Sequence, residues 1–209
     1  MYTPKINRLT DMGEIIAFID RFSFGILLSK DNGRIIGTHI PIISNKEPNN
    51  LKLYAHIALA NEQWREIEGQ EVLIIFTEPH GYISTKNYNK AETVPTWNYM
   101  AVHIYGNVHI LHEKESILEV MERTVIKYEH DYLEKWNKLS NDFKNRMLKG
   151  IVTFRVDITD IEGKAKLSQN KTEEEKENII SSLKGSGIST DSLLAEYMEH
   201  FNTTGDDLK

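Results

Sequence analysis

Four short stretches hold most of the side chains able to do chemistry. Gly37-Thr38-His39-Ile40-Pro41 is the first, and Tyr54 to Arg65 the second, with His56, Trp64 and Arg65. The third, Pro79-His80-Gly81-Tyr82-Ile83-Ser84, continues into Val94 to Tyr99 and Val102 to Gly106; the fourth is Lys166-Leu167-Ser168-Gln169-Asn170. Lysine, arginine, hydroxyl and imidazole groups bind a phosphate through charge-assisted hydrogen bonds. Thr38, His39, Arg65, Lys166 and Ser168 are such donors, and Lys166 and Ser168 face the same way if that segment is extended. Trp64, Trp97, Tyr82 and Tyr99 offer flat surfaces for a planar ring, although aromatic residues are more often core or interface.

Other chemistries find less support. His39, His56, His80 and His103 lie on or beside predicted strands, and none has a metal-ligand spacing such as His-x-x-x-His. They read as hydrogen-bonding residues or as the lining of a polar pocket. No Gly-x-Ser-x-Gly elbow marks Ser84 or Ser168 as a nucleophile. A Walker A loop and a Gly-x-Gly-x-x-Gly turn are both missing from the sequence.

The elements that must position these residues follow from periodicity. Asp11 to Phe22 has helical spacing, with Asp11 able to cap its start. Phe24–Leu28 and Ile35–Ile43 flank Asn32-Gly33, the signal of a hairpin whose turn needs two positive φ angles. Leu51–Leu59 suits a third strand, Ala60–Glu68 one or two helical turns, and Ala101–Leu111 a later strand. Glu71–Thr77 is nearly unbroken in β-branched and aromatic residues, which predicts a strand buried on both faces. Glu113–Tyr132 and Ser140–Lys149 predict helices, and Ile151–Ile161 alternates as a strand that must pair with the early ones. Lys171–Lys184 and Thr190–Phe201 predict two terminal helices separated at Gly185-Ser186-Gly187. The fold class is therefore α+β, a small antiparallel barrel with helices outside it.

The chain has 209 residues, 40% hydrophobic and 27% charged, enough for a substantial core. It contains no cysteine, which excludes disulfides, thiolate catalysis and cysteine-ligated metals. Residues 1–112 carry 10 Lys/Arg against 11 Asp/Glu and residues 113–209 carry 15 against 20, so neither half has a basic nucleic-acid footprint. The mildly basic helix Ser140–Lys149 reads as a solvated face. With no long apolar run and no apolar core in Met1–Thr10, a cytoplasmic location and no membrane contact are expected.

Taken in order, the stretches resemble the PaiB family, the FMN-binding negative transcriptional regulators of bacteria. The resemblance covers nearly the whole chain and rests on Met1-Tyr2-Thr3-Pro4, Thr38-His39-Ile40-Pro41, Ala60-Asn61-x-Gln63-Trp64 and Pro79-His80-x-Tyr82-Ile83-Ser84. It continues through Val94-Pro95-Thr96-Trp97-Asn98-Tyr99, Ala101-Val102-His103-x-Tyr105-Gly106, Leu148-Lys149-Gly150-Ile151-Val152 and Lys166-Leu167-Ser168-Gln169-Asn170. It implies a split β-barrel of the FMN-binding type with peripheral and C-terminal helices. It also implies FMN as cofactor, a homodimer with flavin sites near the subunit interface, and repression of sporulation and extracellular protease genes. On that basis residues 1–170 form the split-barrel domain with a helical insertion at about 113–149, residues 171–201 pack on it as helices, and 202–209 form a flexible tail.

Thr38, His39, Arg65, Lys166 and Ser168 are then the candidates for phosphate and ribityl contacts. Trp64, His80, Tyr82 and Ser84 are candidates for the pocket wall, and Gln169 completes the cofactor set. Leu59, Glu62 and Asn87 stand where family members commonly carry arginine, proline and tryptophan. Two rival readings stay open. One is a flavin-dependent oxidoreductase of the flavin reductase or pyridoxamine-phosphate oxidase kind, for which no catalytic residue is nameable. The other is an interaction module that kept the fold and lost the flavin. Direct DNA contact has no support from the charge.

Overall fold

Local chemistry sets the chain's first landmarks. In the computed structural model, which describes residues 1–204, Asn32 and Gly33 adopt φ angles of 46° and 85°. They join β2 (Phe24–Asp31) to β3 (Arg34–Ser44) in the antiparallel hairpin that Asn-Gly predicts. The helix before it, α1 (Met12–Arg21), starts where expected: the Asp11 carboxylate accepts the Glu14 N–H at 2.8 Å. Its Ile15, Ile16, Phe18 and Ile19 are buried.

A two-residue strand β1 (Arg8–Leu9) precedes these elements, and β4 (Lys52–Ala58), α2 (Trp64–Ile67), β5 (Glu71–Ile83) and β6 (Thr96–Ile110) follow. Next come α3 (Lys114–Tyr128), α4 (Tyr132–Lys138), α5 (Asn141–Leu148) and β7 (Ile151–Lys166). The chain ends in α6 (Glu173–Lys184) and α7 (Ser189–Thr204). The strands form one sheet in the order β1-β7-β4-β3-β2-β5-β6, and β6 pairs with β7 as well. The β6–β7 pairing closes the six strands from β7 to β6 on themselves, as in a barrel, while β1 pairs with β7 alone.

Two compact units share these strands. One contains residues 11–76 and 103–161, and will be called the hairpin unit. Within it β7 pairs antiparallel with β4 from Lys52↔Asp157 to Ala58↔Ile151, the non-local pairing the sequence required. Its core includes Phe18, Leu27, Ile74, Phe76, Ile104, Phe154 and Val156. Gly106 lies where a Cβ would come within 2.6 Å of the Asp157 carbonyl, so β6 and β7 approach each other only because that side chain is absent.

The other unit contains residues 1–10, 77–102 and 162 onward, and will be called the terminal unit. Here β1 pairs with the end of β7 through Arg8↔Lys164 and Leu9↔Gly163. A capping box opens α6: Thr172 Oγ1 accepts the Glu175 N–H, and the Glu175 carboxylate accepts the Thr172 N–H. Ile83, Met100, Leu167, Ile179, Leu194 and Met198 are buried in this unit.

Several expectations need correction. Strand β5 is not buried on both faces; burial alternates along it, with Val72, Ile74 and Phe76 buried and Leu73 and Ile75 only half-buried. Its β-branched run reflects strand propensity rather than two-sided burial. Strands β5 and β7 run beyond their expected ends, β6 begins at Thr96 rather than Ala101, and the helix expected over 113–132 stops at Tyr128, with a separate α4 after it. Helix α7 continues through Thr204, while the rest of the expected tail, residues 205–209, lies outside the described residues. No helix among the described residues is long and apolar enough to cross a membrane.

Candidate functional site

The candidate residues divide between the two units. In the terminal unit the last stretch of β5 alternates: Pro79, Gly81 and Ile83 are buried, while His80 and Tyr82 are exposed on the opposite face. Trp97, near the start of β6, lies against both, with ring centroids 6.0 Å from His80 and 6.0 Å from Tyr82. The indole and the phenol nevertheless keep 54% and 55% of their surface exposed. Such a cluster has rings in edge and tilted contact and a free face left over.

Lys166, the last residue of β7, reaches the same place. Its Nζ donates to Thr96 Oγ1 and to the Trp97 carbonyl, the latter at 2.7 Å. Burial pulls the ammonium below the usual lysine range, Tyr99 opposes that shift, and the neighbouring charge of Lys164 adds to it. Lys164 is buried, donates to the Tyr2 carbonyl at 3.1 Å and lies 4.9 Å over the Tyr99 ring. Among the described residues neither lysine has a carboxylate partner. A partly buried cation hydrogen-bonded only to neutral oxygens is poised for an anion.

Of the other three candidates of this unit, Ser84 and Gln169 serve the backbone and Ser168 bonds a buried side chain. Ser84 caps a single 3-10 turn, its Oγ accepting the Lys86 N–H at 3.2 Å. Gln169 closes the turn after β7 by donating to the Ala165 carbonyl and accepting the Leu167 N–H. Ser168 does not continue the strand: its φ is 63°, so it does not alternate with Lys166 as an extended segment would. It is buried, and its hydroxyl exchanges hydrogen bonds with the buried Asn98 amide at 2.9 and 3.1 Å.

In the hairpin unit one candidate, Thr38, bonds a buried glutamine, and the others have partners of their own. Thr38 donates to Gln63 Oε1 at 2.6 Å and accepts from Asn61 Nδ2 at 3.1 Å. Gln63, 3% exposed, donates through Nε2 to Ser29 Oγ at 2.9 Å. Trp64 Nε1 donates to the Leu59 carbonyl at 3.0 Å. Arg65 is paired with Glu62 at 3.1 Å and lies 5.6 Å over the Trp64 ring. His39 is stacked near Phe24, centroids 6.2 Å apart. The Thr38 hydroxyl is thus engaged on both sides, and the Arg65 charge is offset by Glu62.

A flavin mononucleotide presents a phosphate dianion and a flat tricyclic ring. The donor chemistry of the Lys166–Trp97 cluster fits both demands. The Thr38–Gln63 network offers neither an unpaired cation nor a free donor. Sequence reasoning named Trp97 only as one of several rings and passed over Lys164 and Asn98. Lys164 was detectable, because it stands two residues before Lys166 on one strand and so shares its face.

The family described as "Putative FMN-binding domain" matches residues 1–160. The "Protease synthase and sporulation protein PAI 2" of Bacillus subtilis (strain 168) is 39% identical over 202 residues, 95% of this chain and 97% of that protein. Among solved structures, the FAD and heme binding protein from Mycobacterium smegmatis superposes with a TM-score of 0.61 at 10% identity, covering 77% of this chain and 73% of its own. The flavocytochrome Anf3 from Azotobacter vinelandii gives 0.59 at 15% identity, covering 74% and 67%. The fold is accordingly the α+β split barrel expected from the sequence. With its match over residues 1–160 and its similarity to the B. subtilis protein along almost its whole length, the chain belongs to the PaiB family of FMN-binding domains.

Proposed function

We propose that this protein binds FMN on the Lys166–Trp97 face and works, as a cytoplasmic homodimer, in the negative regulation of transcription. One observation carries the binding reading: Lys166 is a partly buried cation without a carboxylate partner, beside the exposed rings of Trp97 and Tyr82. Lys166 would hold the phosphate, with Lys164 adding to the local positive potential. Trp97, Tyr82 and His80 would cover the flavin ring and shield it from water. Bound flavin supplies redox chemistry; the chain's own residues bind and orient.

The regulatory half of the proposal is supported by similarity to a protein named for protease synthesis and sporulation. With a net charge of −6, the chain lacks the basic surface that drives binding to the DNA backbone. Regulation through a protein partner or a metabolite suits that charge better.

Titration of the purified protein with FMN, read by flavin fluorescence, tests the binding. Saturable quenching at micromolar concentration, weakened in Lys166→Met, is the expected result. Absence of quenching, or equal affinity in the variant, overturns it. Sedimentation velocity tests the homodimer, and a monomer at all concentrations counts against it. Gene deletion in the host should raise extracellular protease and sporulation, with rescue by wild type and not by Lys166→Met.

A further inference from the structure

We propose that the hairpin unit carries a second ligand pocket, separate from the flavin cluster and built for a small phosphomonoester. The cavity measures about 600 Å³, within the range that takes a small organic ligand. Three cations, Lys46, Arg123 and Lys127, line it together with the carboxylate of Asp20. The carboxylate is already engaged. Asp20 accepts from Lys46 at 2.9 Å and from Lys127, and these bonds hold both ammonium groups at the rim. The carboxyl end of α1 brings a partial negative charge, which Lys127 covers by donating to the Asp20 carbonyl at 2.8 Å. Arg123 donates to the Ser44 carbonyl at 2.9 Å and lies 4.7 Å over the Tyr54 ring, and the exposed Glu119 carboxylate approaches it only to 4.0 Å.

The positive excess is matched by an unused hydroxyl. Ser44 lines the cavity, and its Oγ is buried with no hydrogen-bond partner. Buried polar atoms are almost always satisfied, so this one points to an acceptor that a ligand would bring. Ile43 and Ile126 supply an apolar wall. A group of two negative charges with several acceptor oxygens uses the cations and the hydroxyl together, whereas a carboxylate uses fewer of them. A phosphate on a short apolar body is the chemistry that matches.

Isothermal titration of the full chain with phenyl phosphate, inorganic phosphate and benzoate tests this. Phenyl phosphate should bind saturably at one per chain, more tightly than inorganic phosphate, and benzoate at least about tenfold more weakly. Lys46→Gln should weaken phenyl phosphate about fivefold and leave FMN quenching unchanged. Asp20→Asn should tighten it by a similar factor, because repulsion is removed while the backbone carbonyl of that residue still holds Lys127 and the asparagine oxygen remains an acceptor at the rim. Lys46 is exposed, so its replacement leaves folding intact even if Asp20→Asn does not. Protein saturated with FMN should still take up phenyl phosphate. No saturable heat, benzoate binding equal to phenyl phosphate, insensitivity to Lys46→Gln, or displacement by FMN would each overturn the proposal. A failure of FMN quenching alone would strike the flavin reading and leave this pocket standing.

Discussion

Gln63 in the hairpin unit and Lys166 in the terminal unit stand in motifs of similar density, yet their surroundings differ in kind. Around Gln63 every named donor meets an acceptor of the protein itself: Thr38, Asn61 and Ser29 close the network. Around Lys166 the accounting stays open, with a cation on neutral oxygens and two half-exposed rings. Satisfied buried networks hold a fold rigid. An incompletely matched charge at a surface is what a ligand exploits. On the proposed flavin site, motif density marks scaffold and site alike, and hydrogen-bond accounting separates them.

This contrast breaks most sharply at Gln63. Gln63→Ala would leave the Thr38 and Ser29 hydroxyls short of a partner in a buried place and should cost about 2–3 kcal/mol of stability. A lowered urea midpoint with unchanged FMN affinity per folded molecule is the expected outcome. A loss of affinity without loss of stability would move Gln63 from scaffold to site. Lys166→Met should do the reverse. It keeps the stem and removes an unpaired charge, so the urea midpoint should hold or rise while FMN affinity falls about tenfold, near 1.4 kcal/mol. Trp97→Ala should reduce FMN affinity about fivefold, as expected for one lost ring contact. If Trp97→Ala proved silent while Lys166→Met did not, the site would recognise phosphate alone.

Much of the scaffold was legible in the sequence. Asp11, the Asn32-Gly33 turn and the alternation of Val152, Phe154 and Val156 act locally, and each formed the element it predicts. The return of β7 to β4 was demanded by pattern alone, since a strand with one apolar face needs neighbours. What escaped was decided by tertiary context. Thr38, Arg65 and Lys166 read alike as phosphate donors, and only the positions of Gln63, Glu62 and the Trp97 carbonyl show which cation is uncommitted. The left-handed turn at Ser168 had no glycine or asparagine to announce it, and that turn took the hydroxyl out of the strand's register. Strand β5 continues through Pro79 and Gly81 and β7 through Gly163, residue types that ordinarily weaken or end a strand.

The two units should also respond differently to pH. Burial lowers the pKa of Lys166, so proton loss from it begins below the ordinary lysine range. A bound phosphate favours the ammonium form. FMN affinity should therefore hold at lower pH and decline as pH rises through the lowered lysine pKa, with Lys166→Met abolishing that decline. Quenching titrations from neutral to alkaline pH would show it, and an identical profile in the variant would sink the assignment.

The acid side belongs to Asp20. Burial alone would raise its carboxyl, but hydrogen bonds and charge from Lys127 and Lys46 outweigh that and hold it below its ordinary 3.8. A group depressed in the folded state binds fewer protons there than in the unfolded chain. Its contribution is complete above the unfolded pKa and disappears as pH falls through the folded one. The pair is partly exposed, so the amount is small, below about 1 kcal/mol. Asp20→Asn should flatten the acid limb of the stability profile by that amount and leave the alkaline limb of FMN binding untouched. Urea midpoints between neutral and acid pH check the first part, and the FMN series checks the second. Movement of both limbs together would mean that acid stability and flavin binding share a group, and the division between scaffold and site would fail at Asp20.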